Sequence, residues 1–548
     1  MKDWVIARAP HLCRGDERAF VEFPPEPLGQ WLTFSSLLDA DDCAALDDGA
    51  YRDARTWYRS GSDDPTMSSG VSLGRSFELP ATIMLVKHRR AKLILERLLA
   101  DDPAAAFHLR GVGDEWRSAA RSLGAPVVEE SPDSAPVDLP GLRLERPSRA
   151  ERALASLASG MGRGNPDVAF LGTPHWSRPY YRSLLRQGGV SLINPGARAL
   201  MDVFLGRRLV PCSWLAATAP VMNEVGPLDD QPLGMDDPWF FLREKYLPIR
   251  ESLAAWARMG RDAGIHTRVA VATQDVTPPT RAYLLGIKAS GGAVLTLEHG
   301  ISGAYRGQVH SVADTLGAWG EPQATYHRQF GPPTLRVDAV GWARLEAVYS
   351  ECGPDASATW DLLFFSQPSA GLSSADWPED NLRALRMVDA YAGAHPDRRV
   401  AVKMHPSTAA YGWAAPSVTH AALVTSESLG LIRTSRVVAT SFSTTGIESM
   451  VMGRPLVQVQ REGVLGPSEW ISKSGAAVAA GTAEEFEVAV ETLLADSAAY
   501  GSARTKGLAY AREFILGVDR PGSAERRFVD IVLGLAGRQS GERGLARD

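Results

Sequence analysis

The chain has 548 residues, too many for one ordinary domain, so two or three are expected. Apolar residues make up 45 % and charged residues 22 %, the balance of a chain that buries a core. With 58 basic and 64 acidic side chains the formal charge is −6, which argues against a protein that coats nucleic acid, because such proteins carry a basic footprint. No run nears the ~18 apolar residues that cross a bilayer, and Met1–Arg8 lacks the apolar stretch of a signal peptide, so a cytoplasmic protein is expected. Cys13, Cys43, Cys212 and Cys352 are scattered without zinc-like spacing and read as ordinary thiols of a reducing compartment.

Before Thr82 no clear pattern emerges, apart from an acidic helix over Asp39–Tyr51. Its Asp39-Ala40-Asp41-Asp42 run is read as a solvated helix end rather than as a metal-binding Asp-x-Asp. Thr82–Val86 is predicted as a strand. The basic run Lys87–Lys92 behind it reads as a solvated face, with contact to a phosphorylated lipid-linked acceptor or to the inner face of an anionic membrane as the alternative. The proline-rich stretch Ala125–Pro147 is predicted as a surface connection, and Gly160, Gly162 and Gly164 lack the spacing of a dinucleotide fingerprint. Val168–Leu171 is a predicted strand, and Asp236–Met259 a long amphipathic stretch kinked at Pro248. Thr267–Thr273, Thr280–Ser290 and Ala293–Leu297 then read as strand, helix and strand. The intervening Asp275–Pro279 is either an acceptor-site loop or a plain helix entry.

The second half alternates more regularly. Asp361–Phe365, Arg399–Met404, Ala421–Thr425, Arg436–Thr440 and Pro455–Val459 are predicted strands. Pro378–Ala394, Ser428–Thr434 and Thr444–Met452 are predicted helices, the last stopped by Gly453. Thr482 and Glu485 form a capping box ahead of Phe486–Leu494, and Arg538–Asp548 reads as a frayed tail. Strands and helices at this interval imply a parallel sheet covered on both faces, with ligands held at the carboxyl ends of the strands.

Three segments at predicted strand ends carry candidate chemistry. Glu298-His299-Gly300 offers two groups able to take a proton from an attacking hydroxyl, then a glycine that lets the backbone pass close to a ligand. Successive strand residues face opposite ways, so one of the pair serves; the alternative is that Glu298 pairs with an arginine and His299 packs internally. Lys403-Met404-His405-Pro406 puts an imidazole at a strand terminus, where it can donate to a phosphate or protonate a leaving group. The segment from Ser441 through Ser443, Thr444 and Thr445 to Glu448 is a hydroxyl-rich turn leading into a helix, a compact anion site unless Ser443 or Thr444 merely caps that helix.

Together the three segments resemble the pattern shared by bacterial CMP-sugar transferases: sialyltransferases, polysialyltransferases and capsule Kdo transferases. They are also similar to the CDP-glycerol glycerophosphotransferases of teichoic acid synthesis. The resemblance spans Thr267–Gly453, roughly a third of the chain. Sialyltransferases usually show two acids before the glycine, whereas this chain has Glu298-His299-Gly300, which favours the Kdo- or CDP-glycerol-like branch. What the resemblance implies is a GT-B-like α/β fold, two Rossmann-like doubly wound lobes facing each other, here with extra N-terminal elaboration. His299 or Glu298 would be the acceptor-activating base. Lys403, His405, Pro406, Ser441, Ser443, Thr444, Thr445 and Gly300 would hold the donor, with Glu448 reaching its ribose.

The expected organisation is therefore an acceptor lobe over 1–345 with an accessory region to about 150, a nucleotide-donor lobe over 346–537, and a disordered tail over 538–548. The expected activity is metal-independent transfer of a sugar, preferably from a CMP-sugar, to a glycan or lipid-linked acceptor, without a cofactor beyond the nucleotide-activated donor. A helix N-terminus and an imidazole would supply the charge stabilisation that other enzymes take from a metal. Transfer of a polyol phosphate from CDP-glycerol or CDP-ribitol, nucleotide-sugar epimerisation, and a catalytically silent glycan-binding module are the alternatives.

Overall fold

A computed structural model describes residues 3–7, 13, 17–22, 32–59, 62–131, 168–171, 174–186, 245–265, 267–273, 275–298, 300, 311–349, 358–367, 378–405, 418–441, 443–459 and 471–545. Three parallel sheets follow one another along the chain. The first joins β1 (Trp4–Ala7), β2 (Arg18–Val21), β5 (Phe107–Arg110) and β6 (Val127–Ser131) in the order β2-β1-β5-β6. A short antiparallel pair, β3 (Met67–Ser68) and β4 (Val71–Ser72), lies between β2 and β5 in the chain. The second sheet runs in simple order through β7 (Val168–Leu171), β8 (Val269–Ala272), β9 (Ala293–Leu297), β10 (Thr315–Ala318) and β11 (Arg336–Ala339).

The third sheet contains β12 (Trp360–Phe365), β13 (Val400–Lys403), β14 (Ala422–Leu423), β15 (Ser435–Thr440), β16 (Leu456–Val459) and β17 (Val478–Ala480). Its spatial order is β14-β13-β12-β15-β16-β17, all parallel. Numbered within itself this is 3-2-1-4-5-6, the doubly wound order, whose direction reverses between β12 and β15. The crevice at the carboxyl ends of those two strands is where such a sheet takes its ligand. The mixed α/β fold with parallel sheets matches the expectation; the N-terminal elaboration turns out to contain a parallel sheet of its own.

The three sheets are tied together by long helices. Glu78–Asp101 buries Leu79, Ile83, Met84 and Val86 in the core under the second sheet, while Ile94, Leu95 and Leu98 pack beneath the first. This overturns the strand predicted over Thr82–Val86: those residues lie inside that helix and are buried all round, so no polar alternation reveals the helical period. It also corrects the basic run. Lys87–Lys92 is mid-helix, His88 and Arg90 are buried, and Arg90 lies 4.2 Å over the Phe34 ring, so the run is not a solvated face. Burial pushes the His88 pKa down to about 4, helped by Lys92 and Arg89. Val127–Ser131, within the stretch read as a surface connection, is a strand. The rest of that stretch beyond 131 and the glycines at 160, 162 and 164 lie outside the described residues.

Elsewhere the local chemistry acts as expected. Asp39 caps the helix Ala40–Ala54, its carboxylate accepting from Asp42 N at 2.8 Å while Asp42 returns a bond to Asp39 N. Thr482 and Glu485 close their capping box ahead of Ala483–Ala495. Thr277 caps Pro278–Ala289, the helix-entry alternative for that segment. Pro248 falls in a 3-10 turn, Leu247–Ile249, leading into the helix Arg250–Gly264.

The chain then returns on itself. After the helix Ser497–Phe514, Leu516 N donates to Trp319 O at 2.8 Å. The last helix, Ser523–Leu545, lays Phe528, Val529 and Val532 against Phe170, Tyr180 and Val269 of the second sheet's layer, and runs into the segment expected to be frayed. Residues 524–536 are thus bound to the second sheet although they follow the third, while Ile515 and Val518 pack with Leu363 and Val438 of the third. Among the described residues no helix is long and apolar enough to cross a membrane.

Candidate functional site

At the reversal between β12 and β15 the strand ends are polar and held in place by their own hydrogen bonds. Thr440, the last residue of β15, donates from Oγ1 to Phe365 O at 3.0 Å and accepts from Gln367 Nε2 at 2.7 Å. These bonds lock the two strand ends side by side. Gln367 N in turn donates to Asn381 Oδ1 at 3.0 Å, and Gln458 Nε2 donates to Ser441 O at 2.9 Å, fixing the backbone where it leaves β15.

From β13 comes the imidazole. His405 N donates to Ser366 Oγ at 2.7 Å, so the backbone beyond β13 is tied to the residue that follows β12. Burial holds the His405 pKa below its ordinary value, which leaves the ring neutral near pH 7. Pro406 lies outside the described residues. Lys403, at the end of β13, donates from Nζ to Ser426 O at 2.7 Å and so braces the loop after β14.

The hydroxyl turn leads into the helix Thr444–Val451. Ser443 is its N-cap, its Oγ accepting from Thr445 N at 3.3 Å while its carbonyl accepts from Gly446 N at 2.9 Å. Capping by Ser443 occupies the N–H groups of Thr445 and Gly446, and a helix start leaves further first-turn N–H groups without an intrahelical partner. The Oγ1 of Thr445 is buried with no hydrogen-bond partner.

Glu448 stands one turn further along. Side chains on a helix lean toward its N-terminus, so its carboxyl lies over the first turn, on the side of Thr444 and Thr445. Its Oε2 is buried without a partner, and burial pushes its pKa up to about 7, Arg344 lowering it and Glu427 raising it. A buried carboxyl that keeps its proton near neutrality can donate as well as accept a hydrogen bond.

Neither of the two residues that act on Glu448 stands out in the sequence. Glu427, following β14, caps the short helix Ser428–Arg433 through Gly430 N and accepts from Arg344 Nη2 at 2.5 Å. Arg344 is carried by the short helix Ala343–Glu346, just after the second sheet ends. The sequence signal for it is slight: an arginine shortly after Gly341-Trp342, at the junction between two α/β repeats.

In the second sheet, Glu298 directly follows β9 and is turned inward. It is buried, its Oε2 accepts from Trp319 N at 2.8 Å, and its Oε1 lies 3.2 Å from His327 Nε2. Both oxygens thus engage the body of the protein, the internal alternative for this residue, with a histidine in place of the arginine named there. Gly300 has φ +89°, a conformation that favours glycine and turns the chain after the strand. His299 lies outside the described residues. Arg454, just after the Gly453 that stops the helix, is buried and donates to Arg433 O at 2.6 Å.

Asp275, weighed as an acceptor-site residue, is buried and accepts from Val312 N at 2.7 Å and Ser311 Oγ at 3.0 Å. No cluster of acids, histidines and cysteines able to hold a metal ion occurs among the described residues.

No family model matches the chain, and no curated protein does. Solved structures of similar fold include S. aureus TarM, as a variant in complex with fondaparinux, alpha-GlcNAc-glycerol and UDP, at 10 % identity and TM-score 0.36, covering 52 % of this chain and 59 % of that one. This chain thus spans less than two thirds of TarM. Another is the UDP-GlcNAc 2-epimerase from Neisseria meningitidis bound to UDP-GlcNAc, at 11 % identity and TM-score 0.42, covering 67 % of this chain and 99 % of that one. A third is a variant of the wall teichoic acid polymerase TagF, at 9 % identity and TM-score 0.41, covering 71 % of this chain and 94 % of that one. At such identities and scores the likenesses do not bear on donor, acceptor or reaction.

Proposed function

We propose that this chain is a glycosyltransferase that takes a sugar from a nucleotide donor, with a CMP-sugar favoured, and passes it to a hydroxyl of a glycan or lipid-linked acceptor. The observation that carries the reading is the convergence, at the reversal of the third sheet, of three different recognition elements. The Thr444–Val451 helix offers N–H groups for a phosphate, and His405 offers a neutral imidazole. Glu448 offers a buried carboxyl oxygen without a partner, suited to a ribose hydroxyl. A nucleotide presents both a phosphate and a ribose, the two groups that these elements suit.

In the transfer step the acceptor oxygen forms a bond to the anomeric carbon as the bond from that carbon to the donor phosphate breaks. The electron pair leaves with the phosphate, where the helix N-terminus and His405 stabilise it. The acceptor proton goes to His299 under the sequence reading, since Glu298 is engaged with Trp319 and His327.

The test is thermal denaturation with CMP, CDP, UDP and GDP, because a ligand of the native state raises its apparent stability. A shift with CMP above the others is expected; a CDP preference would favour polyol-phosphate transfer, and no shift with any nucleotide would remove the donor-site assignment. His299→Ala and His405→Ala are each expected to lower transfer steeply while the protein stays folded. Near-normal transfer in both would remove their roles.

A further inference from the structure

Arg344 and Glu427 come from different parts of the molecule. Arg344 belongs to the layer of the second sheet: its short helix is clamped by Tyr180, whose OH accepts from Ala343 N at 3.1 Å and donates to Gly341 O at 2.8 Å. At the other end of that helix Glu346 Oε1 accepts from Ser523 Oγ at 2.7 Å and Ala524 N at 2.8 Å, so the final helix holds it too. Glu427 belongs to the third sheet, capping the short helix that packs with the helix carrying Glu448. Their ion pair therefore reaches across the seam.

The pair is unequal. The Glu427 side chain is 62 % exposed and the Arg344 side chain 21 %, so solvent screens the contact and makes it weak. Glu427 also keeps a second task, since its Oε2 accepts from Gly430 N at 2.9 Å whatever Arg344 does. On the neighbouring strand end, Lys403 is committed to the carbonyls of Thr425 and Ser426. A phosphate at the Ser443 turn would carry at least one negative charge against only the partial positive charge of a helix terminus. Arg344 pairs with Glu427, and the helix that Glu427 caps packs Leu429 and Ile432 into the same core as Ile447 and Met450 of the helix that Ser443 caps, which brings the guanidinium to the neighbourhood of that turn. A guanidinium binds phosphate through paired, charge-assisted hydrogen bonds, stronger than a screened contact to an exposed carboxylate.

We infer that a donor phosphate and Glu427 compete for the Arg344 guanidinium, so that Arg344 is a phosphate contact of the nucleotide site, delivered from the opposite side of the seam. The exchange links donor binding to the relation between the two halves: the cation that reads the donor is fixed to one, and the rest of the donor site to the other. The inference rests on the donor-site reading above.

Calorimetric titration of the full chain with CMP and UDP, and with cytidine and uridine, separates the two. Arg344→Met is expected to weaken both nucleotides about tenfold or more while leaving the nucleosides unchanged. Glu427→Gln, whose amide oxygen still caps Gly430 N, is expected to tighten the nucleotides severalfold because the competitor has lost its charge. Arg344→Lys keeps the charge without the planar fork and is expected to fall between wild type and Arg344→Met. Opposite signs for the two members of one ion pair are the signature of competition. Equal weakening by Arg344→Met and Glu427→Gln would mark a structural pair and overturn the inference. Unchanged nucleotide binding in Arg344→Met would overturn it while leaving the donor site standing. A wild-type chain that binds neither nucleotide would overturn both.

Discussion

Glu298 and His327 form a pair closed off from solvent, 3.2 Å apart, at the point where β9 meets the helix Glu321–Phe330. The second carboxylate oxygen of Glu298 accepts from Trp319 N, and Trp319 stacks on Trp342 with ring centroids 4.0 Å apart and planes 11° from parallel. An acid that reads in the chain as a candidate base thus anchors the seam between the second and third sheets.

Removing that carboxylate leaves a buried N–H and a buried imidazole without their partner. Glu298→Ala is expected to cost about 3 kcal/mol in urea unfolding, in the range for breaking one side of a buried pair. Glu298→Gln, which keeps an oxygen for Trp319 N, should lose less and retain transfer. A Gln variant of wild-type stability with transfer abolished would return the proton-accepting role to Glu298.

Glu448 makes stability depend on pH. Burial raises its pKa from 4.5 to about 7 in the folded protein. Between those values the folded form holds a proton that the unfolded chain has released, so its contribution is complete below the lower value and lost as pH rises through the upper one. Glu448→Gln has no such dependence. Relative to wild type it should gain on the order of 3 kcal/mol between pH 4 and pH 8, since each tenfold change in proton affinity is worth about 1.4 kcal/mol. Urea midpoints of both proteins across that range provide the measurement, and a pH-independent difference would contradict the buried carboxyl.

Ser443 serves both the helix and the proposed ligand. Ser443→Ala removes the cap on Thr445 N, with an expected stability loss of about 1 kcal/mol. Its stabilisation by CMP in thermal denaturation should shrink as well. A full nucleotide shift on a destabilised background would confine Ser443 to capping.

Gly341 sits where the chain leaves the second sheet, with φ +98°. A β-carbon there would approach Leu516 O to 2.6 Å, the backbone of the returning segment. Gly341→Ala combines the backbone penalty with that clash, and a loss of about 2 kcal/mol or more is expected by calorimetry. Because Arg344 follows three residues later, nucleotide affinity should fall with it. An alanine variant as stable as wild type would show that the returning segment can move aside.

Legibility follows the range of the forces involved. Val168–Leu171 and Ala293–Leu297 are legible to the residue because they are short runs buried throughout and bounded by polar or turn residues. The Thr482–Glu485 box and the Asp39 cap are legible because each closes within a single turn. Thr82–Val86 misleads for the opposite reason. Two sheets claim successive parts of one long helix, and a helix covered on every side loses the polar stripe that announces it. Lys403 does stand at its predicted strand end, yet which way its ammonium turns depends on carbonyls of a loop 22 and 23 residues away.

By itself the sequence determined the succession of strands and helices from Asp361 to Leu494, β17 excepted, together with helix caps and the strand ends that carry imidazole, hydroxyl and carboxyl groups. Those follow from steric preferences and hydrogen bonds between near neighbours. Only the tertiary structure decided that β12 and β15 lie side by side, that Glu298 turns inward to His327, and that Arg344 meets Glu427 across 83 residues of chain. Contacts of that kind depend on how whole layers pack, because the free energy that selects them comes from burying apolar faces shared among distant segments, and no local pattern carries that information.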